Sequence, residues 1–393
     1  MKIGVISESV PPVQSGQSVV LYQLLKNLDP LDYCLITQKN IFSDRFQANC
    51  SDKLSGSCYQ LSPDFNIIQL LVRNAISVKL TILVDTYLKI RAQQITKILI
   101  KEKCDTAIVC TGNLLDPPAV SLACKSLGIP LIFYVFDDYI YQWSNRLMRA
   151  YAQKHEEDII KSAVDIIVPN ECLCNEYRVR YGIRPTVIHN PVDLQQYEMM
   201  SQRHLKNFTD VKRIIYTGAI YDVHYGAFRN LVKALIQIDQ PDLQLHLFTN
   251  QFPEKLKKNG IAGPVAIHKK LPHICMPAVQ RSANILFLPL GFEKNVHQIV
   301  KTSAPGKTGE YLTARKPILV HAPLNSFISW YFKKHDCGLV VDQDDPEILA
   351  DKLLQILNDS NLQNRLTENA YLRAQTDFNI RVAQNKFYHC IGK

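Results

Sequence analysis

The chain has 393 residues, of which 47% are hydrophobic and 21% are charged, so it is long enough for two globular domains and too apolar to be disordered. No run of 18 apolar residues is free of charge, and the N-terminus enters a strand pattern directly, which argues against a membrane-spanning helix and a signal peptide. The 11 cysteines form no C-x-x-C pair, so we expect reduced thiols in a cytoplasmic protein.

The formal net charge of +9 is spread unevenly. Residues 1–195 contain 20 basic and 19 acidic side chains, whereas the remainder contains 25 basic and 17 acidic ones. A basic second half suits a phosphorylated ligand. No Lys/Arg run is interleaved with aromatic residues, so we expect no nucleic-acid partner.

The first half alternates short apolar runs with helix-length segments. The runs predict strands, and the segments between them include predicted helices at 18–28, 144–162 and 171–181; the strands are predicted at 2–7, 33–37, 106–110, 131–136 and 165–168. Such alternation indicates a parallel sheet covered on both faces.

The same alternation restarts after a polar stretch that ends near residue 210. Strands are predicted at 213–217, 244–248, 265–268, 285–289, 317–321 and 338–341. We therefore expect an α/β protein with two doubly wound Rossmann-like domains, at 1–195 and 211–376, joined by a linker at 196–210. The amphipathic segment 377–393 is expected to pack back on the first domain.

Residues 66–103 interrupt this pattern with a basic helical segment. It contains seven basic and two acidic residues among many Ile, Leu and Val. One interpretation is a long surface helix packed on its own domain. The other is peripheral contact with an anionic membrane, at its inner face, through this segment.

The strongest local signal is the stretch from Thr302 to Leu312. Pro305 is predicted to be the first residue of a helix, with Ser303 or Ala304 at its cap. The amide groups around Gly306 would then suit a pyrophosphate. Lys307 adds a positive charge in the first turn, and Glu310 follows on the same face as a carboxylate suited to sugar hydroxyls.

The Gly-Lys-Thr sequence at Gly306, Lys307 and Thr308 also occurs in ATP-binding P-loops. The P-loop requires a glycine five residues before Gly306, directly after a strand. That position is Lys301, and the preceding predicted strand ends near Leu290. A nucleoside triphosphatase is therefore not favoured.

Polar side chains also follow a predicted strand of the first domain. Asp137 and Asp138 come directly after the 131–136 run, where such folds place ligands, and are the candidate catalytic residues. Because adjacent residues point to opposite sides, at most one is expected to face a ligand. The alternative is a helix cap or a surface turn. Asp222 and His224, after Gly218, are further candidates that would otherwise be solvated.

The sequence does not favour a metal site. His268, His273 and Cys275 lie close in sequence, but a fourth ligand at zinc-finger spacing is absent from the sequence. We expect no metal.

Four segments, in order along nearly the full length, carry a resemblance to a known family. They are 7–28 with Gly16, the pair 165–170 and 186–193 with its Asn-Pro-Val-Asp, the strand and glycine turn 214–219, and the stretch 302–320. The chain resembles a GT-B-fold glycosyltransferase of the retaining family 4, or group 1, type. The resemblance implies two domains facing a cleft, with Gly16 and Gly218 near phosphate and Glu310 on the donor ribose.

The resemblance implies transfer of a sugar from a nucleotide diphosphate sugar to a hydroxyl of a glycan or lipid-linked acceptor. It also implies retained anomeric configuration, with no metal and no cofactor besides the donor substrate.

Two alternatives stay open. A nucleotide-sugar epimerase shares the fold, although the residue at Thr302 weakens this interpretation, and three departures from the family pattern support a catalytically degenerate partner subunit. The departures are Thr302 in place of the family's first glutamate, Ala219 and His224 in place of a basic pair, and Phe136-Asp137-Asp138 in place of a histidine.

Overall fold

The computed structural model describes residues 1–13, 15–38, 53–62, 78–201, 211–269 and 271–393, with the side chains of 78–83 and 201 excepted. The chain divides into two units, one formed by Met1–His189 with Ala383–Lys393, the other by Asn190–Val382. Each is an α/β unit built on a parallel sheet.

The first unit contains a seven-stranded sheet with the order β3-β2-β1-β4-β5-β6-β7. Its paired strands all run parallel. The strands are β1 (Ile3–Ile6), β2 (Tyr33–Thr37), β3 (Ser57–Gln60), β4 (Thr106–Cys110), β5 (Leu131–Tyr134), β6 (Ala163–Val168) and β7 (Thr186–Val187). The described helices that accompany them are α1 (Gly16–Leu25), α2 (Val78–Glu102), α3 (Asp116–Leu127), α4 (Arg146–Ser162) and α5 (Glu171–Tyr181).

The second unit contains a six-stranded sheet with the order β10-β9-β8-β11-β12-β13, again with parallel pairs. Its strands are β8 (Lys212–Thr217), β9 (Leu243–Thr249), β10 (Val265–Lys269), β11 (Ile285–Pro289), β12 (Ile318–His321) and β13 (Leu339–Val341). Its helices are α6 (Leu194–Ser201), α7 (Tyr225–Ile238), α8 (Pro253–Lys258), α9 (Met276–Arg281), α10 (His297–Thr302), α11 (Lys307–Thr313), α12 (Phe327–His335), α13 (Pro346–Asn358) and α14 (Ser360–Thr376).

The central strands are short apolar runs because both of their faces are covered. Every residue of β1, β2, β4 and β5 is buried, as is every residue of β11 and β12. Removal of these side chains from water stabilises each unit by about 25 cal/mol per Å² of apolar surface. Sequence therefore predicts these strands to within two residues at either end.

Each sheet has a point where the strand order reverses. In the first unit it lies between β1 and β4, and in the second between β8 and β11. The loops that leave these strands at their carboxyl ends diverge to opposite faces of the sheet, which leaves a crevice where ligands bind in such folds. These two crevices position the candidate sites.

The final helix, α15 (Ile380–Cys390), belongs largely to the first unit. Ala383, Phe387 and Ile391 lie in the same apolar core as the strands of the first sheet. Gln384 Nε2 donates to the Gln23 carbonyl of α1 at 2.7 Å. The unit boundary on the N-terminal side lies at His189, six residues before the predicted limit.

Two sequence expectations differ from the structure. Helix α11 begins at Lys307, not at Pro305, and Gly306 takes its cap position with no side-chain capping bond. The predicted linker 196–210 begins inside α6, and its residues 202–210 lie outside the described ranges.

Most of the basic segment 66–103 lies in the long helix α2. Residues 66–77 of the segment lie outside the described residues. Val84, Leu88, Ile95 and Leu99 of α2 are buried in the first unit. Within the described ranges, none of the helices has the length and apolarity needed to cross a membrane.

Candidate functional site

The centre of the candidate site in the second unit is the turn after β8. Gly218 has a φ of 122°, which side-chain-bearing residues rarely adopt. A Cβ at this position would lie 2.6 Å from Lys307 Cε and 2.8 Å from Lys307 Nζ. The glycine therefore lets the lysine chain lie directly across the turn.

Lys307, the first residue of α11, places a half-buried positive charge at this crevice. Its Nζ lies 4.9 Å from the centroid of the Tyr216 ring, within the range of a cation–π contact. The Lys307 charge and, above all, burial lower the pKa of the nearby His224 to about 3. His224 is buried and neutral at physiological pH, whereas Asp222 is exposed.

Glu310 lies one turn along α11 on the same side as Lys307. Its Oε2 accepts from Gln280 Nε2 at 2.7 Å, and its Oε1 lies 3.3 Å from His273 Nε2. Desolvation opposes ionisation of this carboxyl group. The bonds from His273 and Gln280 together with the Lys307 charge outweigh it and lower the pKa of Glu310. Its side chain remains 22% exposed, so an ionised carboxylate is accessible to a ligand.

A second bond fixes α11 against β8. Tyr311 is buried, and its hydroxyl oxygen accepts from the Thr217 backbone N–H at 3.1 Å. Because Thr217 directly precedes Gly218, this bond holds the helix and the glycine turn in one arrangement. The three residues Gly218, Lys307 and Glu310, 92 positions apart at most, thus form a single site.

The other predicted glycines have no such constraint. A Cβ added at Gly306 or Gly16 would meet no atom within 4 Å. Gly16 is the first residue of α1, which Ser15 caps by accepting from the Ser18 N–H at 3.2 Å. The Thr308 N–H is used inside its own turn, donating to the Pro305 carbonyl at 2.9 Å. The role of Gly16 and Gly306 in donor binding stays a prediction.

Sequence reasoning missed Glu293, which follows β11 at the same reversal point. Its carboxylate would clash with a Cβ on either Gly226 or Gly291, at 2.5 Å and 2.4 Å. Arg229 Nη2 donates to Glu293 Oε1 at 2.6 Å. The ion pair joins the loop after β11 to α7, so Glu293 shapes the crevice wall.

The first unit places the two predicted aspartates very differently. Asp138 is 2% exposed, and its Oδ1 accepts from the backbone N–H groups of Ile140 and Tyr141 at 3.1 and 3.2 Å. Its Oδ2 pairs with Arg180, which also contacts the buried Glu156 at 3.2 Å. Asp138 therefore caps a turn and belongs to an internal ion network.

Asp137, by contrast, is exposed. Desolvation by the neighbouring protein atoms and, second, repulsion from the Asp138 carboxylate raise the pKa of Asp137. Its backbone N–H and that of Phe136 both donate to Thr111 Oγ1, at 3.3 and 2.9 Å. Asp137 is accordingly the member of the pair that is accessible to a ligand.

Three further residues meet at the β1–β4 crevice, and sequence reasoning missed all of them. Gln17 Nε2 donates to the Thr111 carbonyl at 2.6 Å. Gly112 has a φ of 121°, and a Cβ there would lie 3.1 Å from Gln17 Oε1 and 3.3 Å from Glu8 Oε2. The available signal was the position of Glu8 shortly after β1 and of Gly112 shortly after β4, whereas Gln17 lies in the first turn of α1.

The two histidines of the possible zinc site have other partners. His268 Nε2 lies 3.1 Å from His246 Nδ1, and its ring stacks on Phe248. His273 instead contacts Glu310. Across the described residues, no group of three His, Cys, Asp or Glu side chains is arranged to hold a metal ion.

Comparison with protein families gives two matches in consecutive parts of the chain. The model for Glycosyltransferase Family 4 matches residues 67–196, and that for Glycosyl transferases group 1 matches residues 207–373. No curated protein matches the sequence. The second match contains Gly218, Lys307 and Glu310.

Several solved structures share the fold. Sucrose-phosphate synthase from Thermosynechococcus elongatus is similar with a TM-score of 0.71 at 16% identity, over 100% of this chain and 98% of that one. HepE from Anabaena in complex with UDP has a TM-score of 0.69 at 12% identity over 100% of both chains. A Listeria monocytogenes protein assigned as a UDP-N-acetylglucosamine 2-epimerase has a TM-score of 0.63 at 13% identity, over 99% and 95%. At these identities the similarity shows the fold alone.

Proposed function

Since the chain is a GT-B-fold glycosyltransferase with the two domains of the family 4 and group 1 type, we propose that it transfers a sugar from a nucleotide diphosphate sugar to a hydroxyl of a glycan or glycolipid. The transfer retains the anomeric configuration and requires no metal. The second unit binds the donor, and the first unit binds the acceptor. The observation that carries the proposal is the arrangement of Lys307 and Glu310 around the Gly218 turn.

The two side chains have complementary chemistry for such a donor. The ionised Glu310 carboxylate accepts hydrogen bonds from two adjacent sugar hydroxyls. The Lys307 ammonium pairs with the diphosphate. When the bond between the anomeric carbon and the diphosphate oxygen breaks, the leaving diphosphate gains negative charge, and Lys307 stabilises it. The acceptor oxygen forms the new bond to the anomeric carbon, and its proton passes to the departing diphosphate oxygen.

The accessible carboxylate of Asp137 lies at the carboxyl edge of the first sheet, where an acceptor hydroxyl would bind. Glu8 and Gln17, at the neighbouring β1–β4 crevice, add polar groups suited to a glycan.

A panel of nucleotides tests donor binding. Thermal shifts with UDP, GDP, ADP and CMP identify the base, and the matching nucleotide sugars are then assayed for turnover. We expect Glu310→Ala to weaken binding about 100-fold with an unchanged fold, because charge-assisted hydrogen bonds contribute about 1.5–3 kcal/mol. Glu347→Ala is the matched control, since Glu347 is also a first-turn glutamate but lies exposed on α13.

Product analysis separates the proposal from its alternatives. NMR of the product reports its anomeric configuration. Inversion of a sugar carbon in the donor without any acceptor would indicate an epimerase. Binding without turnover across the panel would indicate a degenerate subunit, and unchanged binding by Glu310→Ala would remove the proposed donor site.

We further propose that the acceptor is presented at an anionic membrane surface, which the protein contacts through the exposed face of α2. Lys89, Lys97 and Lys101 are exposed there beside Ile90 and Ile100, which are 46% and 59% exposed. Each basic residue near an anionic surface contributes about 1 kcal/mol. Arg91 does not take part, because it is buried 3.8 Å from Asp116.

Co-sedimentation with vesicles tests this contact. Binding to anionic vesicles should fade with rising salt and be absent with neutral vesicles. The triple change of Lys89, Lys97 and Lys101 to Glu should abolish it. Changing the exposed Lys255, Lys257 and Lys258 of the second unit to Glu should weaken membrane binding much less than the triple change on α2 does. If the wild-type protein does not bind anionic vesicles at low salt, the proposed membrane contact is wrong.

A further inference from the structure

A buried amide connects Glu310 to a distant tyrosine. Gln280 is the fifth residue of α9 and has no exposed surface. Its Nε2 donates both to Glu310 Oε2 at 2.7 Å and to Thr217 Oγ1 at 3.1 Å. Both hydrogens of the amide nitrogen are therefore in hydrogen bonds, and one of these bonds goes to Glu310, the residue proposed to bind the ribose.

The other end of that amide is held as well. Gln280 Oε1 accepts from the hydroxyl of Tyr197, a buried residue of α6 that lies 83 positions away in sequence. The ionised Glu310 carboxylate can only accept, so the amide nitrogen faces Glu310, and the Tyr197 hydroxyl holds the amide oxygen towards α6. A rotated amide would present its oxygen to the carboxylate and repel it.

We infer that Tyr197 and Gln280 are positioning residues for the donor site, forming a directed hydrogen-bond chain that holds the Glu310 carboxylate in place for the nucleotide ribose. This inference rests on the proposed function for the role of Glu310. The chain fixes Oε2, and Oε1 faces the half-exposed His273 on the ligand side. A buried, fully paired chain of this kind lowers the freedom that the carboxylate must lose on binding.

The groups that face Glu310 define what the chain can change. They are Gln280 on α9, His273 on the 3₁₀ turn His273–Cys275, and Lys307 on its own helix. The Arg281 charge acts on the Tyr197 hydroxyl. Gln280 is the neutral member of this group, and its amide oxygen is held by Tyr197.

Tyr197→Phe removes the hydroxyl that holds the amide oxygen and retains the ring. We expect about tenfold weaker UDP binding, because an amide that is no longer held at its oxygen loses its well-oriented hydrogen bond to the charged Glu310 carboxylate. Binding of inorganic pyrophosphate should be unchanged, because pyrophosphate has no ribose. Gln280→Met, which keeps the side-chain length, should act in the same way. A general loss of fold would instead weaken both ligands.

Tyr371→Phe is the matched control. It removes a hydroxyl that donates to Glu198, the residue next to Tyr197, at 2.7 Å and without contact to Glu310. We expect this variant to bind UDP as the wild type does.

A titration of the ligand-free protein separates this inference from the proposed function. Carboxyl ¹³C NMR, assigned with Glu310→Gln, should show the Glu310 pKa raised in Tyr197→Phe and Gln280→Met but not in Tyr371→Phe. An unchanged Glu310 pKa in Tyr197→Phe would overturn the inference whether or not UDP binds. Equal losses of UDP and pyrophosphate would also overturn it. Failure of every nucleotide to bind, with the pKa raised as expected, would overturn the proposed function alone.

Discussion

The carboxyl edges of the two sheets differ in what the protein does with an acidic side chain. In the first unit, Asp138 is buried and paired with Arg180. In the second, Glu310 is held by a neutral amide and a half-exposed histidine and remains partly exposed. Both follow the same doubly wound topology, so position at a strand's carboxyl edge does not by itself make a binding residue. What matters is whether the fold already neutralises the charge.

The Asp138 partners leave it little capacity for a ligand. The carboxylate accepts two backbone N–H groups on one oxygen and the guanidinium of Arg180 on the other. The Glu310 side chain is 22% exposed, and its Oε1 lies 3.3 Å from His273 Nε2. Asp138 is thus suited to stability and Glu310 to binding, which mutation can separate.

The largest expected effect is on the stability of the first unit. Asp138→Ala should lower the free energy of unfolding by about 3 kcal/mol, because it leaves Arg180 paired with Glu156 alone. Urea denaturation measures this loss, and UDP affinity should be unchanged. Asp137→Ala is the control, with an expected change within about 0.5 kcal/mol. A stable Asp138→Ala chain that had lost turnover would assign Asp138 to catalysis.

The second unit should be sensitive to acid through His224. Its pKa in the folded chain is lowered to about 3 by burial and the Lys307 charge, so it contributes stability that is present above pH 6.5 and is lost as the pH falls towards 3. Between pH 7 and pH 5 this loss amounts to about 2 kcal/mol. Urea denaturation at both pH values measures it.

His224→Gln should remove that part of the pH dependence, because glutamine does not titrate in this range. His389→Gln is the matched control, since His389 is exposed on α15. An identical pH dependence in the wild type and His224→Gln would contradict the prediction.

The third expected effect concerns the diphosphate. Lys307→Met retains the alkyl chain across Gly218 and removes the charge, so UDP should bind about tenfold more weakly while uridine binds equally well. Isothermal titration with both ligands measures the difference. Equal losses for uridine and UDP would place Lys307 away from the phosphates.

The smallest expected effect is at the exposed member of the aspartate pair. Asp137→Asn should reduce acceptor-dependent turnover about fivefold, the effect of about one hydrogen bond, with donor affinity unchanged. Initial rates at varied acceptor concentration measure it. Turnover equal to that of the wild type would remove Asp137 from the acceptor site and leave the contrast with Asp138 as one of exposure only.

The strand assignments show how far local pattern carries. The limits of β2, β4, β11 and α5 agree with the sequence prediction at both ends, because both faces of a central strand are buried and because Asn170 and Gly182 cap the two ends of α5. The predicted start of α11, at Pro305, is wrong by two residues. Pro305 is compatible with a first helical turn, but nothing local decides whether the chain uses that conformation.

Side-chain partners show where local pattern stops. Arg91 was counted with the basic residues of the 66–103 segment, yet it is 1% exposed beside Asp116. Asp138 finds Arg180 42 positions later. Neither partner has a periodic signal, because an ion pair depends on which elements the topology brings side by side.

By itself, the sequence determined the two α/β units, the parallel sheets, the family and the candidate pair Lys307 and Glu310. Burial period and short-range spacing encode these features, and both are readable along the chain. Only the tertiary structure decided that Glu310 is held through Gln280 by Tyr197, and that Asp138 is neutralised by Arg180. The physical reason is that hydrogen bonds and ion pairs act over about 3 Å in space, between residues whose separation along the chain carries no information about their contact.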